Sequence, residues 1–298
     1  MWKLSVCLLV VPVGAAVLWR ASSLGAGELA KHSYLDSNEV KSAVEHLESA
    51  SESSSMDTAI VRMEKAIETL GNEHFASQMI LAAKTEGRTD VKNLRKDVDR
   101  VIESLTFRPW MEAELPEGFP EFTPVHHIEV KTLPEYRMAR ASMRSTQSTG
   151  NNGAFWKLFS HIKRNDIAMT APVQMDYTTS DAEAEVASMA FLYGSQKLGE
   201  SGSDDADDSV EVLDIPRQDV VAIGVRGRMT AESVKQGHLA LLEWLKTRKS
   251  EYRPTGPLRR MGYNSPFISE ERAFFELQIP VKKTAKKTAA GEIKNLDS

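Results

Sequence analysis

The sequence predicts an α+β fold in which a helical N-terminal region precedes a β-rich domain made of two similar halves. Between Asp36 and Leu105, apolar residues recur at intervals of three and four, which is the spacing of one helix face. After residue 125, short strands and amphipathic helices follow one another in the same order twice. A chain of 298 residues is long enough to bury one or two sizeable cores.

Composition excludes several classes of function. A hydrophobic content of 41% and a charged content of 27% are typical of a soluble globular protein. The net charge of −5 argues against nucleic acid as the main partner, because such proteins present a basic face. Cys7 is the only cysteine and lies in an N-terminal apolar stretch. Disulfides, cysteine metal sites, iron–sulfur clusters and thiol catalysis are therefore excluded.

Residues 1–23 are predicted to be a targeting or anchoring segment. Lys3 is a minimal positive start, residues 4–18 are apolar except for Ser5, and Arg20 closes the stretch. This run suits a signal peptide and is shorter than the roughly 20 residues of a membrane span. Either a cleaved signal peptide or an uncleaved membrane anchor would make the rest of the chain exported, periplasmic or extracytoplasmic, or tethered to a membrane.

Residues 28–106 are predicted to be helical. One apolar stripe runs from Met56 to Leu70 and ends at Gly71, a good helix stop; another runs from Val91 to Leu105, and a weaker one includes Val40. The stripes are narrow, so we expect these helices to pair with each other or, by self-association, with a second copy. A helical spacer that holds the main domain off a membrane is the simpler alternative.

Residues 107–121 are predicted to be a linker because prolines interrupt regular structure there. The β-rich domain spans residues 122–283, and residues 284–298 are predicted to be a disordered basic tail that continues from Lys282 and Lys283. Within the domain, residues 199–209 carry five acids and no base, which favours a solvated loop.

The order of elements in the β-rich domain repeats. Its predicted strands and helices are residues 126–130, 136–143, 154–163 (helix), 167–177, 186–193, 210–212, 220–225, 231–248 (helix), 261–266 and 273–280. Ile128-Glu129-Val130 with Leu133-Pro134 recurs as Val210-Glu211-Val212 with Ile215-Pro216, at a constant offset of 82 residues. Two β-β-α-β-β units would pair their sheets and place both helices on one side.

Three ordered motifs in this domain resemble those of the SOUL haem-binding protein family. Residues 167–173 read Ile-Ala-Met-Thr-Ala-Pro-Val, which resembles the family's Met-Thr-Ala-Pro-Val signature. Residues 256–257 are Gly-Pro, and residues 262–267 read Gly-Tyr-Asn-Ser-Pro-Phe, similar to the family's Gly-Pro and Tyr-Asn-Pro-Pro-Phe. Residues 128–136 resemble its opening strand pair. The resemblance covers about residues 122–283.

The resemblance implies a distorted, mostly antiparallel β-barrel of two related halves with two packed helices. It also implies binding of haem or another tetrapyrrole. The chain departs from the family where residues 270–274, Glu-Glu-Arg-Ala-Phe, stand in place of Arg-Arg-Asn-Glu-Val. The loss of basic residues there removes one expected contact to the haem propionates.

The helix at residues 154–163 carries the residue types that a haem site needs, namely apolar walls, cations and an axial ligand. On a helical wheel Phe155, Leu158, Phe159 and Ile162 form one face, which must first cover the sheet. The predicted cofactor-binding residues are Trp156, Lys157, Phe159, His161, Lys163, Arg164 and Met175. His161 is the candidate iron ligand, although at about 110° from the centre of the apolar face it could equally point to solvent.

The sequence therefore predicts a non-catalytic module that binds haem or another tetrapyrrole in a groove beside the first helix of the β-rich domain. It contains no Gly-x-Ser-x-Gly, His-Glu-x-x-His or P-loop motif. The alternative is a structural or interaction protein that keeps the fold without binding pigment. An enzyme acting on tetrapyrroles ranks last, because no residue stands out as a catalytic group.

Overall fold

The computed structural model describes residues 27–86, 90–143, 150–178 and 185–284. These residues form six helices and twelve strands, a mixed α+β architecture. The predicted targeting segment and most of the predicted basic tail lie outside the described residues. Within the described part, no helix is long and apolar enough to cross a membrane.

The N-terminal region forms four helices, α1 (Asn38–Ser51), α2 (Met56–Leu70), α3 (Phe75–Glu86) and α4 (Val91–Thr106). Ser37, Ser55 and Asp90 cap α1, α2 and α4 by accepting a hydrogen bond from a backbone amide in the first turn. Gly71 ends α2 at a positive φ of 79°, a conformation that favours glycine. The three apolar stripes thus form α1, α2 and α4.

Helix α3 lies within the region predicted to be helical, but no stripe marked it, because the apolar residues of its sequence FASQMILAAKTE are not confined to one face. It packs between α2 and α4, while α1 contacts α2 and α4. The buried side chains of all four helices join one apolar cluster with residues of the sheet, among them Leu133 and Met138. The helices therefore bury their stripes against each other and against the β-rich domain of the same chain.

The remaining elements form the β-rich domain and a small hairpin. Strands β1 (Glu28–Leu29) and β2 (Trp110–Met111) pair with each other, so the predicted linker contains a short strand. The large sheet consists of β3 (Ile128–Leu133), β4 (Tyr136–Ser142), β5 (Val173–Tyr177), β6 (Val186–Leu192), β7 (Gly202–Asp204), β8 (Asp207–Ile215), β9 (Gln218–Arg226), β10 (Tyr252–Pro254), β11 (Arg259–Gly262) and β12 (Phe274–Lys283). Helix α5 (Gly150–Arg164) follows β4, and α6 (Ala231–Thr247) follows β9.

The ten strands pair antiparallel in the order β3-β9-β12-β11-β5-β6-β4-β8-β7, with β10 on β12. The path of described strands runs from β3 to β7 without closing, so the sheet is open and the expected barrel is not confirmed. One reason is local: β8 pairs with β4 on one edge and with β7 on the other, which leaves no full edge for β3.

Both helices of this domain lie on the same face of the sheet. Met175, Arg260 and Leu277 are direct cross-strand partners on β5, β11 and β12, so their side chains share a face. Met175 packs in the apolar cluster of α5, and Leu277 packs in that of α6. The opposite face is covered by the helical region and residues 107–125.

Three predictions from the sequence differ from the structure in the bounds or the type of an element. The strand expected at residues 167–177 begins only at Val173, because Pro172 has no amide hydrogen to donate to a ladder. The acidic stretch expected to be a solvated loop forms β7 and the start of β8. Lys282 and Lys283, expected at the start of a disordered tail, pair with β10 as the end of β12.

Candidate functional site

The aromatic side chains of α5 form a stacked group against the sheet. The rings of Phe155 and Phe159 are stacked with centroids 6.0 Å apart, and Trp156 meets them edge-on at 5.8 and 5.7 Å. Phe155 also contacts Phe191 of β6. Phe155 and Phe159 are buried, whereas Trp156 is half-buried. The apolar face thus covers the sheet as predicted, and Trp156 forms its exposed margin.

His161 is buried under the hairpin of β7 and β8. Its Nδ1 donates to the carboxylate of Asp204, and its Nε2 lies 2.6 Å from the hydroxyl of Tyr193. Burial raises the pKa of Tyr193 to about 12, so this hydroxyl keeps its proton. Both ring nitrogens of the candidate iron ligand are therefore engaged within the protein in this arrangement.

Asp204 connects the β7–β8 hairpin to α5 through hydrogen bonds. Its side chain is 5% exposed and accepts hydrogen bonds from His161, from Arg164 Nη2 at 2.6 Å and from the Ala206 amide at 2.8 Å. Burial alone would raise the pKa of Asp204, but these hydrogen bonds outweigh it and hold the pKa below its ordinary value of 3.8. A buried, bonded aspartate explains why this stretch is not a solvated loop.

Replacing Asp204 with asparagine is expected to lower the free energy of unfolding by about 1–3 kcal/mol at pH 7, the usual cost of losing charged hydrogen bonds. Because the folded pKa is depressed, this contribution is present above the unfolded pKa of about 4 and is lost as pH falls through the folded pKa. Urea unfolding at pH 7 and at low pH measures both effects.

Asp205→Asn is the matched control, since Asp205 is exposed on the same hairpin and the charge change is identical. It should change the unfolding midpoint little. A difference between wild type and Asp204→Asn that stays constant down to pH 3 would show that the carboxylate charge does not stabilise this contact.

The predicted cations of α5 have different environments. Lys157 Nζ donates to Ser209 Oγ at 2.6 Å, and Arg164 is paired with Asp204. Lys163 is exposed and lies over the ring of Phe159 at 5.8 Å from its centroid. Trp156 and Lys163 therefore present an indole and an ammonium group at the same margin of the helix.

Met175 is buried on β5 in the cluster of α5 side chains. Its sulfur accepts a hydrogen bond from Arg260 Nη2. Arg260 was not singled out in the sequence, because it follows Arg259 in the short segment Arg-Arg-Met-Gly and no local pattern marks it as buried. Six of the predicted residues thus lie along α5, Met175 lies on β5, and Arg260 lies beside Met175.

Within the described residues, no three His, Cys, Asp or Glu side chains come together to hold a metal ion. The group of residues beside α5 offers aromatic area and cations but no preformed ligand set. Its chemistry is suited to holding a flat, apolar molecule that carries negative charge.

Comparison with known proteins identifies the β-rich part of the chain. The SOUL heme-binding protein family matches residues 119–276, which is more than half of the chain. No curated protein matches the chain. This match covers α5, α6 and the large sheet except for the part of β12 after Glu276.

Solved structures give weaker likenesses. The C-terminal domain of EcmrR is 16% identical with a TM-score of 0.38, covering 53% of this chain and 98% of that chain. EcmrR in a complex with DNA is 13% identical with a TM-score of 0.43, covering 83% and 80%. A hydrolase from Listeria innocua is 14% identical with a TM-score of 0.39, covering 54% and 94%. At these TM-scores the likenesses carry no argument about function.

Proposed function

The chain belongs to the SOUL heme-binding protein family, and from that premise we propose that it binds haem or another tetrapyrrole without catalysing a reaction on it. The proposed site is the margin of α5. The observation that carries it is the half-buried indole of Trp156 next to the Lys163 ammonium over Phe159. An indole offers a flat apolar surface, and an ammonium group complements a propionate.

The proposed binding does not depend on an iron bond from His161. Asp204 and Tyr193 occupy both of its ring nitrogens, so ligation would first have to break one of these hydrogen bonds. Affinity is instead proposed to come from apolar contact and from the cations of the helix. Metal-free porphyrin should then bind about as tightly as haem.

Optical titration tests this proposal. Haem added to the full-length chain should shift its Soret band at micromolar protein, and protoporphyrin should quench tryptophan fluorescence over the same concentration range. Trp156→Ala should weaken the affinity for haem and the affinity for protoporphyrin about 10-fold each, the equivalent of about 1.4 kcal/mol of lost contact.

Trp244→Ala is the matched control, because Trp244 is a half-buried tryptophan on α6 that carries Arg248 over its ring at 4.4 Å. It should leave both affinities unchanged. A wild-type chain that shows neither a Soret shift nor quenching would contradict the proposed function.

A structural or interaction role without pigment is the second candidate. It is favoured by the close packing of the α5 face, where Phe159 is buried and His161 has both nitrogens engaged. The same titration decides between the two candidates, since a folded chain that binds neither haem nor porphyrin would retain only this role.

A further inference from the structure

Arg260 lies on the sheet face that carries both helices, at the boundary between their two apolar clusters. Its cross-strand partners are Met175, which packs with α5, and Leu277, which packs with α6. The residue is only 8% exposed. A charged guanidinium group is therefore enclosed between the two apolar clusters.

No carboxylate within the described ranges comes within 4.0 Å of this guanidinium group. Among the described residues its hydrogen-bond partner is the Met175 sulfur, and Tyr177 lies close enough to influence its pKa. Burial lowers the pKa of Arg260, and Tyr177 opposes that effect. By contrast, Arg137, Arg140 and Arg164 each pair with an aspartate or a glutamate.

Strand alternation explains why the nearby acids do not reach Arg260. Asp176 lies between Met175 and Tyr177, and Glu276 lies between Phe275 and Leu277, so both carboxylates point to the opposite face. There Asp176 accepts from Gln174 and Ser188, and Glu276 pairs with Lys131. The acids next to Arg260 in the sheet are thus bonded on the other side.

An arginine cannot shed its charge, because its guanidinium group stays protonated in proteins. Enclosing that charge without an anion destabilises the folded state, and an apolar side chain of similar volume would be better tolerated. A thioether is only a weak acceptor. The planar group therefore retains its capacity to bind an external carboxylate through two parallel hydrogen bonds.

We propose that Arg260 is the anchor for a ligand carboxylate that enters between α5 and α6. The inference rests on the proposed function, in which the ligand is a tetrapyrrole, and it assigns one propionate to this guanidinium group. Met175 connects the α5 site to Arg260, because it packs with the aromatic residues of α5 and its sulfur accepts a hydrogen bond from Arg260. The macrocycle then lies against α5 with one acidic edge directed towards β11.

Haem and haem dimethyl ester test this assignment, because esterification removes the negative charge and keeps the macrocycle. Arg260→Gln in the full-length chain should weaken haem binding about 10- to 100-fold and change ester binding less than about 2-fold. Arg140→Gln is the matched control, since Arg140 lies on the opposite face and pairs with Glu211. It should change neither affinity.

Thermal unfolding without ligand separates a binding role from a structural one. Arg260→Met should unfold at the same temperature as wild type or higher, because the enclosed charge is removed. Asp181 and Glu183 lie outside the described residues, so Asp181→Asn/Glu183→Gln tests them as internal partners of Arg260. That double variant should also unfold at the wild-type temperature.

Several results would overturn the assignment. They are equal loss of haem and ester affinity in Arg260→Gln, unchanged haem affinity, or a marked fall in the unfolding temperature of Arg260→Met. Wild type that binds neither tetrapyrrole refutes the proposed function. In that case decanoate, a carboxylate without a macrocycle, tests the carboxylate site by itself. A rise in the unfolding temperature with decanoate that Arg260→Gln abolishes supports the site, and no rise overturns it.

Discussion

Replacing Lys131 with methionine is expected to lower the free energy of unfolding by about 3–5 kcal/mol, the cost of leaving a buried charge without its partner. Lys131 Nζ lies 2.8 Å from Glu276 Oε1, and their side chains are 8% and 0% exposed. The same ammonium group donates to the Glu121 carbonyl at 3.1 Å. Methionine is an unbranched apolar side chain only one atom shorter than lysine, and it removes both interactions. Urea unfolding at neutral pH measures the loss.

Two further variants identify the cause of that loss. Lys246→Met removes a pair whose side chains are 76% and 65% exposed, so it should cost less than about 1 kcal/mol. Lys131→Met/Glu276→Gln should recover part of the stability, because a neutral amide replaces the unpaired charge. Gln278 Nε2 donates to Glu276 Oε2 at 2.8 Å, whereas Gln278 Oε1 has no hydrogen-bond partner among the described residues. Rotation of the Gln278 amide would present that oxygen to the new donor. A double variant less stable than Lys131→Met would show that the charge is not the cause.

Gly224→Ala is expected to destabilise the chain by about 3 kcal/mol or more, at the upper end of the usual cost of overpacking. A Cβ atom at this position of β9 would lie 2.0 Å from the Thr123 carbonyl oxygen and 2.8 Å from that of Pro124. Both neighbours are backbone atoms, so the segment itself has to move.

Movement of that segment would break further interactions. The Thr123 amide donates to Glu276 at 2.8 Å, and the His126 amide donates to the Gly224 carbonyl at 3.1 Å. Gly194→Ala is the control, because its nearest contact would be Thr170 Cγ2 at an ordinary 3.7 Å. Equal unfolding midpoints for the two alanine variants would contradict the expected clash.

Glu276 and Gly224 together show how the helical region and the β-rich domain share one structure. Residues 107–125 lie between the helices and the sheet face, and their contacts use a buried ion pair and a close backbone approach. At the same boundary Glu103 of α4 pairs with Arg226 at 2.8 Å and with His126 at 2.6 Å. The hydrogen bonds from these partners outweigh burial and lower the pKa of Glu103.

The elements with a clear period could be predicted from the sequence. Helices α2 and α4 follow from apolar residues at intervals of three and four, and Gly71 ends α2 where a stop was expected. The family followed from three motifs in order, and its match now covers residues 119–276. Local signals of this kind depend only on neighbouring residues, so they can be recognised without coordinates.

The environment of the candidate site could not be predicted in the same way. Asp204 and Tyr193 bond to His161 across 43 and 32 residues of chain, and no local pattern carries such a pairing. The acids of the β7–β8 hairpin look solvated by composition, yet burial of one of them depends on where α5 packs. Helix α3 fell in the region predicted to be helical, but no stripe marked it as a separate element, since its apolar residues are not confined to one face.

The sequence by itself determined the α+β class, the helical region and the family, because periodicity and short motifs are local properties. Only the tertiary structure decided that the described sheet is open, that His161 is engaged by two distant side chains, and that Arg260 is enclosed with no carboxylate partner among the described residues. Strand register is the physical reason, because it determines which distant residues share a face of the sheet and which charged side chains lie on opposite faces.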